Sequence, residues 1–472
     1  MRAADIDAGL DSAASSSGPD EIAQRLENLP VSSHLWHLVI LLSLGGWFEM
    51  YDLFFTGYIA PGLVRSGLLT ATTQAFFGFS GIGAFVAATF AGLFVGTFFL
   101  GFLADRFGRR PIFTFALLGY TAASAAMACQ TTSAGLLLWR FIAGIGIGIE
   151  VITIDAYITE LVPGWMRGRA FAINQAVMFT AVPVVAFLSW WLVPLSPYGV
   201  DGWRWVVLIG AAASMVIWIL RLWVPESPLW LARQGRTEEA VKILRSLEAA
   251  TGAANKRPKA RTSVLASAAE PAKAGYAELF KPPYLSLVVL FAVFNLCQAF
   301  GFYGFANWVP TLLVEKGITV TRSLQYSFII ALAYPIAPLL AAGFADRFER
   351  KWIICGAVAA IGCFGIAFSQ VTYPALVILC GVLITAANTT MSYAYHAYQS
   401  EVFPTPIRAR ASGLVYSMSR VSAAFSGFII AYVLREAGVG GVFGLITSAM
   451  IVVIIAVAAF GPNVRGKPLD AL

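Results

Sequence analysis

The fold class this sequence predicts is an all-α membrane protein, with twelve transmembrane helices in two pseudo-symmetric six-helix bundles. Three observations lead there: a composition too apolar for a water-facing surface, apolar runs of spanning length separated by basic connections, and an internal repeat at one fixed interval. Of the 472 residues, 58% are hydrophobic and 12% are charged, whereas soluble domains carry about 25% charged residues. The apolar runs mostly approach or exceed the roughly 20 residues that cross a bilayer as a helix. They are solidly apolar and do not alternate with period two, so helices are expected and barrel strands are not. The net charge of +7 does not point to nucleic acid, because the Lys and Arg residues sit in short clusters between the runs. A lipid bilayer is the partner that pattern fits. The five cysteines (Cys129, Cys297, Cys355, Cys363 and Cys380) lie in or beside apolar runs without CxxC spacing. Neither a disulfide framework nor a metal site is expected from them.

The elements follow in order. The first 30 residues are rich in Ala, Ser, Asp and Glu and lack the basic-then-apolar order of a cleaved signal peptide. Residues 1–35 therefore read as a disordered tail. Spans are placed near 36–63, 76–104, 111–130, 134–160, 167–193 and 203–224 in the first bundle (36–224). The second bundle (284–462) holds spans near 284–314, 322–346, 351–369, 372–402, 407–434 and 438–461, followed by a tail, 463–472. An even number of spans puts both termini on one face. If that face is cytoplasmic, it receives 24 of the 32 Lys and Arg residues, and the other receives only Arg65, Arg204, Lys316, Arg322 and Arg435. The positive-inside rule thus places both termini in the cytoplasm, in a plasma membrane of the bacterial inner-membrane type. Between the bundles, 225–283 is polar and contains Lys256, Arg257, Lys259 and Arg261. Its segment Glu238 to Leu247 carries Ala240, Ile243, Leu244 and Leu247 at helical spacing, which predicts a short amphipathic helix on the inner surface and flexible chain after it.

The repeat needs no alignment. Asp105, Arg106, Phe107 and Arg109 recur as Asp346, Arg347, Phe348 and Arg350, while Glu160, Pro163, Arg167 and Arg169 recur as Glu401, Pro404, Arg408 and Arg410. All eight pairs are 241 residues apart, which predicts two homologous bundles facing each other across a central cavity. Gly101-Phe-Leu-Ala-Asp105-Arg-Phe-Gly108-Arg109-Arg110 closely resembles the GxLaDrxGrr signature joining spans 2 and 3 of the major facilitator superfamily. The second copy departs by placing Glu349 where the signature has Gly. Within that superfamily, Glu160 to Arg169, Gly202-Trp203-Arg204-Trp205 and Pro225-Glu226-Ser227-Pro228 resemble the sugar porters and their organic-acid relatives. Pro462 to Gly466 is similar to their PETKG ending, with Asn463 in place of Glu. Acids beside arginines at helix ends can form charge-assisted contacts between bundles and hold one face closed until the bundles rock. Gly101, Asp105, Arg109, Glu160, Arg169, Glu226, Asp346, Arg350, Glu401 and Arg410 are accordingly the candidate inner gate; a solvated basic loop is the alternative.

A charge at the bilayer centre costs about 2.5–3.5 kcal/mol on insertion scales, so it needs a partner or a function. Glu49, Asp52, Arg140, Glu150, Asp155 and Arg420 are in this class. Glu49 and Asp52 are three residues apart on nearly one helix face, and two carboxylates in a partly dry cavity repel when both are ionised, so one could carry a proton. Tyr51-Asp52 resembles the helix 1 pair of proton-coupled sugar porters, and Glu49 with Asp52 resembles the DGxD pattern of aromatic-acid symporters. That resemblance implies an ion pair from Asp52 to Arg140 that a proton replaces during transport. A purely structural ion pair is the alternative.

Gln175 and Gln298 match glutamines at the sugar porters' site, but Tyr303 and His396 stand where those porters have Asn and Trp. Arg420 resembles the helix 11 arginine of nicotinate and aromatic-acid transporters, and a guanidinium facing a cavity suits a carboxylate. An Arg paired with an inward Glu or Asp is the other reading of it. The aromatic residues Phe300, Phe302, Tyr303, Phe305, Trp308, Tyr393, Tyr395 and Tyr398 surround the candidate site, where Tyr and Trp can stack on a planar ring while their polar tips bind its substituents; lipid-facing and packing roles are the alternative. Gly144, Gly146 and Gly148 lie inside an apolar span with no preceding strand, so they read as close helix packing and not as a nucleotide loop. No nucleophile–base constellation indicates an enzyme, and no ATP motif indicates a pump. The combined reading is symport of protons with a small organic anion, an aromatic monocarboxylate such as nicotinate or a hydroxybenzoate, by a monomer without a cofactor. A sugar or polyol symporter and a non-transporting receptor are the alternatives.

Overall fold

The computed structural model of the chain describes residues 19–70, 81–100, 102–251, 276–282, 284–345, 348–403 and 405–463. Among these residues every regular element is helical, as an environment without water requires of a backbone that must satisfy its own hydrogen bonds. The first six spans are Ser33–Tyr58, Ile82–Leu100, Arg109–Ala128, Ser133–Leu161, Gly164–Phe179 continued by Ala181–Leu192, and Gly202–Arg221. Span 7 is Tyr284–Ala306, span 8 is Val320–Ala331 continued by Ala333–Ala345, span 9 is Arg350–Gln370 and span 10 is Pro374–Val402. The last helix, Thr405–Phe460, has 56 residues. Straight, it would run about 84 Å, far beyond a hydrocarbon core of about 30 Å. Gly438, with φ of 63°, bends it into spans 11 and 12, a conformation closed to most side chains. Twelve crossings result.

Spans 4 and 10 each hold 29 residues and are displaced by 241 at both ends, as are the starts of spans 3 and 9 and of spans 5 and 11. The interval found in the charged motifs is therefore that of the helices themselves. Spans 1 and 7 also correspond, each followed by a short helix with Pro near its start, Ala60–Arg65 and Val309–Glu315. Within the first bundle, glycines bring spans 2 and 4 together. A Cβ on Gly92 would meet Gly144 Cα at 3.0 Å and one on Gly96 would meet Gly148 Cα at 3.1 Å, while Gly146 faces Tyr120 of span 3. The three glycines of span 4 thus serve helix packing, as expected. The bundles touch through the half remote from the termini. Tyr334 packs against Phe54 and Phe179, Phe328 packs against Phe187 and Trp190, and Gly83 abuts Gly427 and Ala431.

The terminus-bearing face corrects one expectation. Part of the tail taken as disordered, Pro19–Glu27, is a helix, because Ile22 and Leu26 share one face and are buried together with Leu29. A three-residue apolar stripe is easily hidden in a polar composition. Asp20 and Glu21 in its first turn and Arg25 in its last suit the helix dipole. Its partner is the linker helix Thr237–Thr251, whose buried residues are Ala240, Val241, Leu244 and Leu247. Ile243 is only half-buried, so the stripe is turned by part of a residue from the expected one and faces protein, not the membrane surface. Residues 252–275, expected to be flexible, lie outside the described residues. Arg25 donates to both carboxylate oxygens of Glu248 at 3.0 and 2.7 Å, and Glu27 accepts from the Gly164 backbone N–H at 2.8 Å. Leu26→Asp should undock this helix at a cost of about 2–3 kcal/mol. Limited proteolysis should then cut the Thr237–Thr251 helix faster; unchanged protection would mean that docking contributes nothing.

Candidate functional site

Between the bundles lies a cavity of about 470 Å³, lined by spans 1, 4 and 5 on one wall and spans 7, 10 and 11 on the other. Phe171, Gln399, Ser412 and Gly413, near the terminus-side ends of their spans, also line it, so it is directed toward the terminus-bearing face. Of the residues expected to contact substrate, Arg420, Gln298, Tyr303, Gln175, Tyr395 and His396 all line this cavity. Trp308 does not. Span 7 ends at Ala306, and the break turns Trp308 into the core at the start of Val309–Glu315, where it is fully buried. Of the other aromatic candidates, Phe302 lines the cavity, whereas Phe305 and Tyr398 are core residues.

Arg420 is 5% exposed and held from two sides. Its Nη1 donates to the Tyr303 hydroxyl at 2.5 Å and its Nη2 to the Tyr416 hydroxyl at 3.1 Å, with the Tyr416 ring 4.9 Å from the guanidinium carbon. Two of five donors are thereby used, and the group is oriented before any ligand arrives. Tyr395 stacks on Phe294 at 4.3 Å and its hydroxyl accepts from Asn295 at 2.5 Å. His396 lies between the Tyr395 and Tyr416 rings, at 5.3 and 5.4 Å. The facing wall is acidic, with Glu49 and Asp155. Asp155, Tyr416, Asn174 and Gln399 are lining residues absent from the expected set; Asp155 alone carried a signal, as a charge inside a span.

Contrary to expectation, Glu49 and Asp52 do not lie together in one cavity. Three residues turn a helix by 300°, so the side chains diverge by about 60°, enough to straddle the cavity's edge. Glu49 faces the cavity, and Asp52 points into the first bundle toward Arg140, which is fully buried. The Asp52–Arg140 ion pair lies inside a closed network. Arg140 Nε donates to Thr89 at 2.8 Å, and its Nη2 donates to Thr56 at 2.6 Å and to the Asp52 carbonyl at 2.8 Å. Ser124 donates to the other Asp52 carboxylate oxygen at 2.6 Å, so four helices meet on this pair. A second buried pair joins Glu150 to Arg221, whose guanidinium also donates to the Phe113 carbonyl at 2.5 Å and lies 3.7 Å from the Phe113 ring centre. Arg221 falls inside the expected sixth span, and that was the signal for it.

Among the described residues, four of the inner-gate candidates, Asp105, Arg109, Glu160 and Glu226, come together. Arg109 donates to Glu160 at 2.9 and 3.1 Å and pairs with Asp105 at 2.7 Å, while Glu226 accepts from the backbone N–H groups of Arg109 and Arg110 at 3.0 and 3.2 Å. Burial nevertheless pushes the Glu226 carboxyl above the usual carboxylate range. These contacts lie within the first bundle and the loop after span 6. Asp105 is 75% exposed, Arg169 is exposed, and Arg350 begins span 9 half-buried. Gly101 and Asp346, and the side chains of Glu401 and Arg410, lie outside the described residues. Arg109→Ala should cost about 3–5 kcal/mol by stranding Glu160, and Asp105→Asn less than about 1 kcal/mol. Thermal unfolding in detergent checks this, and equal losses would refute the ranking.

A family model described as sugar (and other) transporter matches residues 38–472. The chain belongs to that family. It is a multi-pass membrane transporter and not an enzyme, which sets aside the receptor alternative. Members need no cofactor, and coupling to protons is typical of them. The chain is 27% identical over 455 residues to the niacin transporter NiaP of Acinetobacter baylyi, covering 96% of this chain and 99% of that one. It is 26% identical over 464 residues to the arabinose-proton symporter of Bacillus subtilis, covering 94% and 97% respectively. Its fold is similar to the partially occluded inward-open xylose transporter XylE from E. coli, with a TM-score of 0.74 and 21% identity over 93% of this chain and 100% of that one. The major facilitator fold expected from the sequence is the fold observed.

Proposed function

We propose that the protein takes up a small organic anion with protons by alternating access, and that the substrate is an aromatic monocarboxylate such as nicotinate or a hydroxybenzoate. One observation carries this reading: Arg420, buried and oriented by Tyr303 and Tyr416, presents a cation to a cavity of about 470 Å³. A planar guanidinium prefers a carboxylate, and Phe302, Tyr303 and Tyr395 supply aromatic walls for a ring. The kinship to a niacin transporter supports the same chemistry. Asp52 and Arg140 are the coupling pair, Glu49 faces the substrate, and both termini face the cytoplasm across an inner membrane. One chain suffices, since the path runs between its own two bundles. Uptake of labelled nicotinate or benzoate into proteoliposomes, with and without an inward proton gradient, tests it; accumulation only with the gradient is the expected result.

A sugar or polyol symporter is the second reading, favoured by Gln175 and Gln298 in the cavity wall and by the kinship to an arabinose-proton symporter. Under that reading hexoses or pentoses inhibit uptake and aromatic acids do not.

A further inference from the structure

The cavity wall opposite Arg420 is supplied with acceptors that nothing in the protein satisfies. Glu49 is 2% exposed, and its Oε2 is buried without a hydrogen-bond partner. Asn174 Oδ1, on the same wall, is buried and unpartnered as well. Among the described residues neither Glu49 nor Asp155 is ion-paired, although both line the cavity that holds Arg420. Two carboxyl groups and a guanidinium thus line one space that a ligand would fill. A buried acceptor left without a donor is costly, more so for a charged group. Once the bundles close and exclude water, the ligand is the remaining source of that donor.

We infer that Glu49 is a second recognition point, and that the substrate is a small acid bearing a hydrogen-bond donor, such as a hydroxyl, an amino group or a protonated ring nitrogen, at the end remote from its carboxylate. The inference rests on the organic-anion reading of the cavity. The carboxylate lies on the Arg420 wall, because the other orientation would set it against Glu49 and Asp155. The donor then faces Glu49 and Asn174. Since Glu49 belongs to the first bundle and Arg420 to the second, such a ligand bridges the two halves and favours their closure, which a plain benzoate cannot do from one end.

The test is a pair of ligands of nearly equal shape, measured by calorimetry on the purified full-length protein. Both 3- and 4-hydroxybenzoate are compared with the matching fluorobenzoates, which lack the donor, and benzoate and glucose are measured beside them. In the wild type at least one hydroxy isomer should bind about tenfold or more tighter than its fluoro partner. That ratio should fall to within about twofold in Glu49→Leu and to an intermediate value in Glu49→Gln, which keeps the volume and a neutral acceptor. Only the ratio within each protein is read, so a general loss of affinity does not matter, and Glu49→Gln carries the test if Glu49→Leu does not fold. A ratio near one in the wild type, or the same ratio in the variants, overturns the inference while benzoate binding leaves the anion reading standing. Binding of glucose but of none of the acids overturns both.

Discussion

In proteoliposomes, Asp52→Asn is expected to abolish gradient-driven accumulation while leaving exchange of substrate down its own gradient. Coupling one proton to a pH difference of one unit supports about tenfold accumulation, so the variant should fall to a ratio near one. The reason lies in the network around Asp52. Its carboxylate holds Arg140 and receives the Ser124 hydroxyl, and Arg140 is anchored to Thr56 and Thr89. Under the proposed coupling, a proton arriving on Asp52 would release its ion pair with Arg140, and the helices that meet there could then shift. Asn mimics the protonated acid permanently, so the signal that separates the two states is lost. Removing one member of a buried pair also costs about 3–5 kcal/mol in general. Here the Asp52 carbonyl and two threonine hydroxyls still hold Arg140, so a folded variant is expected, and its unfolding temperature must be measured alongside. Accumulation equal to the wild type by a folded Asp52→Asn protein would remove Asp52 from the mechanism.

What the sequence revealed and what it hid have different physical origins. The spans were legible because a bilayer imposes a length and an apolar composition on every one of them, and because basic residues mark the connections. The repeat was legible because the arginine-rich motifs and the helix starts at Arg109 and Arg350 keep one interval. Six of the seven expected substrate residues share one cavity because spans 5, 7, 10 and 11 each turn one polar stripe inward. Trp308 failed for a local reason: periodicity was extended through Asn307, where the helix breaks, and a break changes the face of every residue after it.

The partners of charges were harder to read than the charges. Glu150 was singled out as an ionisable residue inside a span and Arg221 was not, and their contact joins residues 71 apart in sequence and depends on how spans 4 and 6 pack. Glu49 and Asp52 were read as neighbours by spacing, whereas a difference of about 60° in direction separates a cavity from a core. Among the described inner-gate candidates, Arg109 finds Glu160 and Asp105 within its own bundle, a pairing that depends on how spans 3 and 4 pack and not on the repeat of the motifs. The helix Pro19–Glu27 was lost because its stabilisation comes from a partner helix more than 200 residues away, through Ile22, Leu26 and the Arg25–Glu248 bond.

Arg420→Lys is expected to weaken binding of the organic anion by about tenfold or more although the charge is retained. The guanidinium is planar, its orientation is fixed by the hydroxyls of Tyr303 and Tyr416, and it lies against the Tyr416 ring. A lysine ammonium has neither the fork that meets two carboxylate oxygens nor the flat face, and its shorter donor set would have to choose between the phenols and the ligand. A charged hydrogen bond contributes about 1.5–3 kcal/mol, and each 1.4 kcal/mol is tenfold in affinity. Nicotinamide or benzamide should bind the wild type weakly for the same reason, since an amide offers one acceptor and no charge. The measurement is calorimetric titration of nicotinate, benzoate and their amides into both proteins. A sugar site gives the opposite pattern: glucose or xylose competes for uptake, Gln175→Ala and Gln298→Ala cost more than Arg420→Lys, and the acids do not compete. That outcome would end the anion reading and leave the twelve-span fold and the Asp52–Arg140 pair where they are.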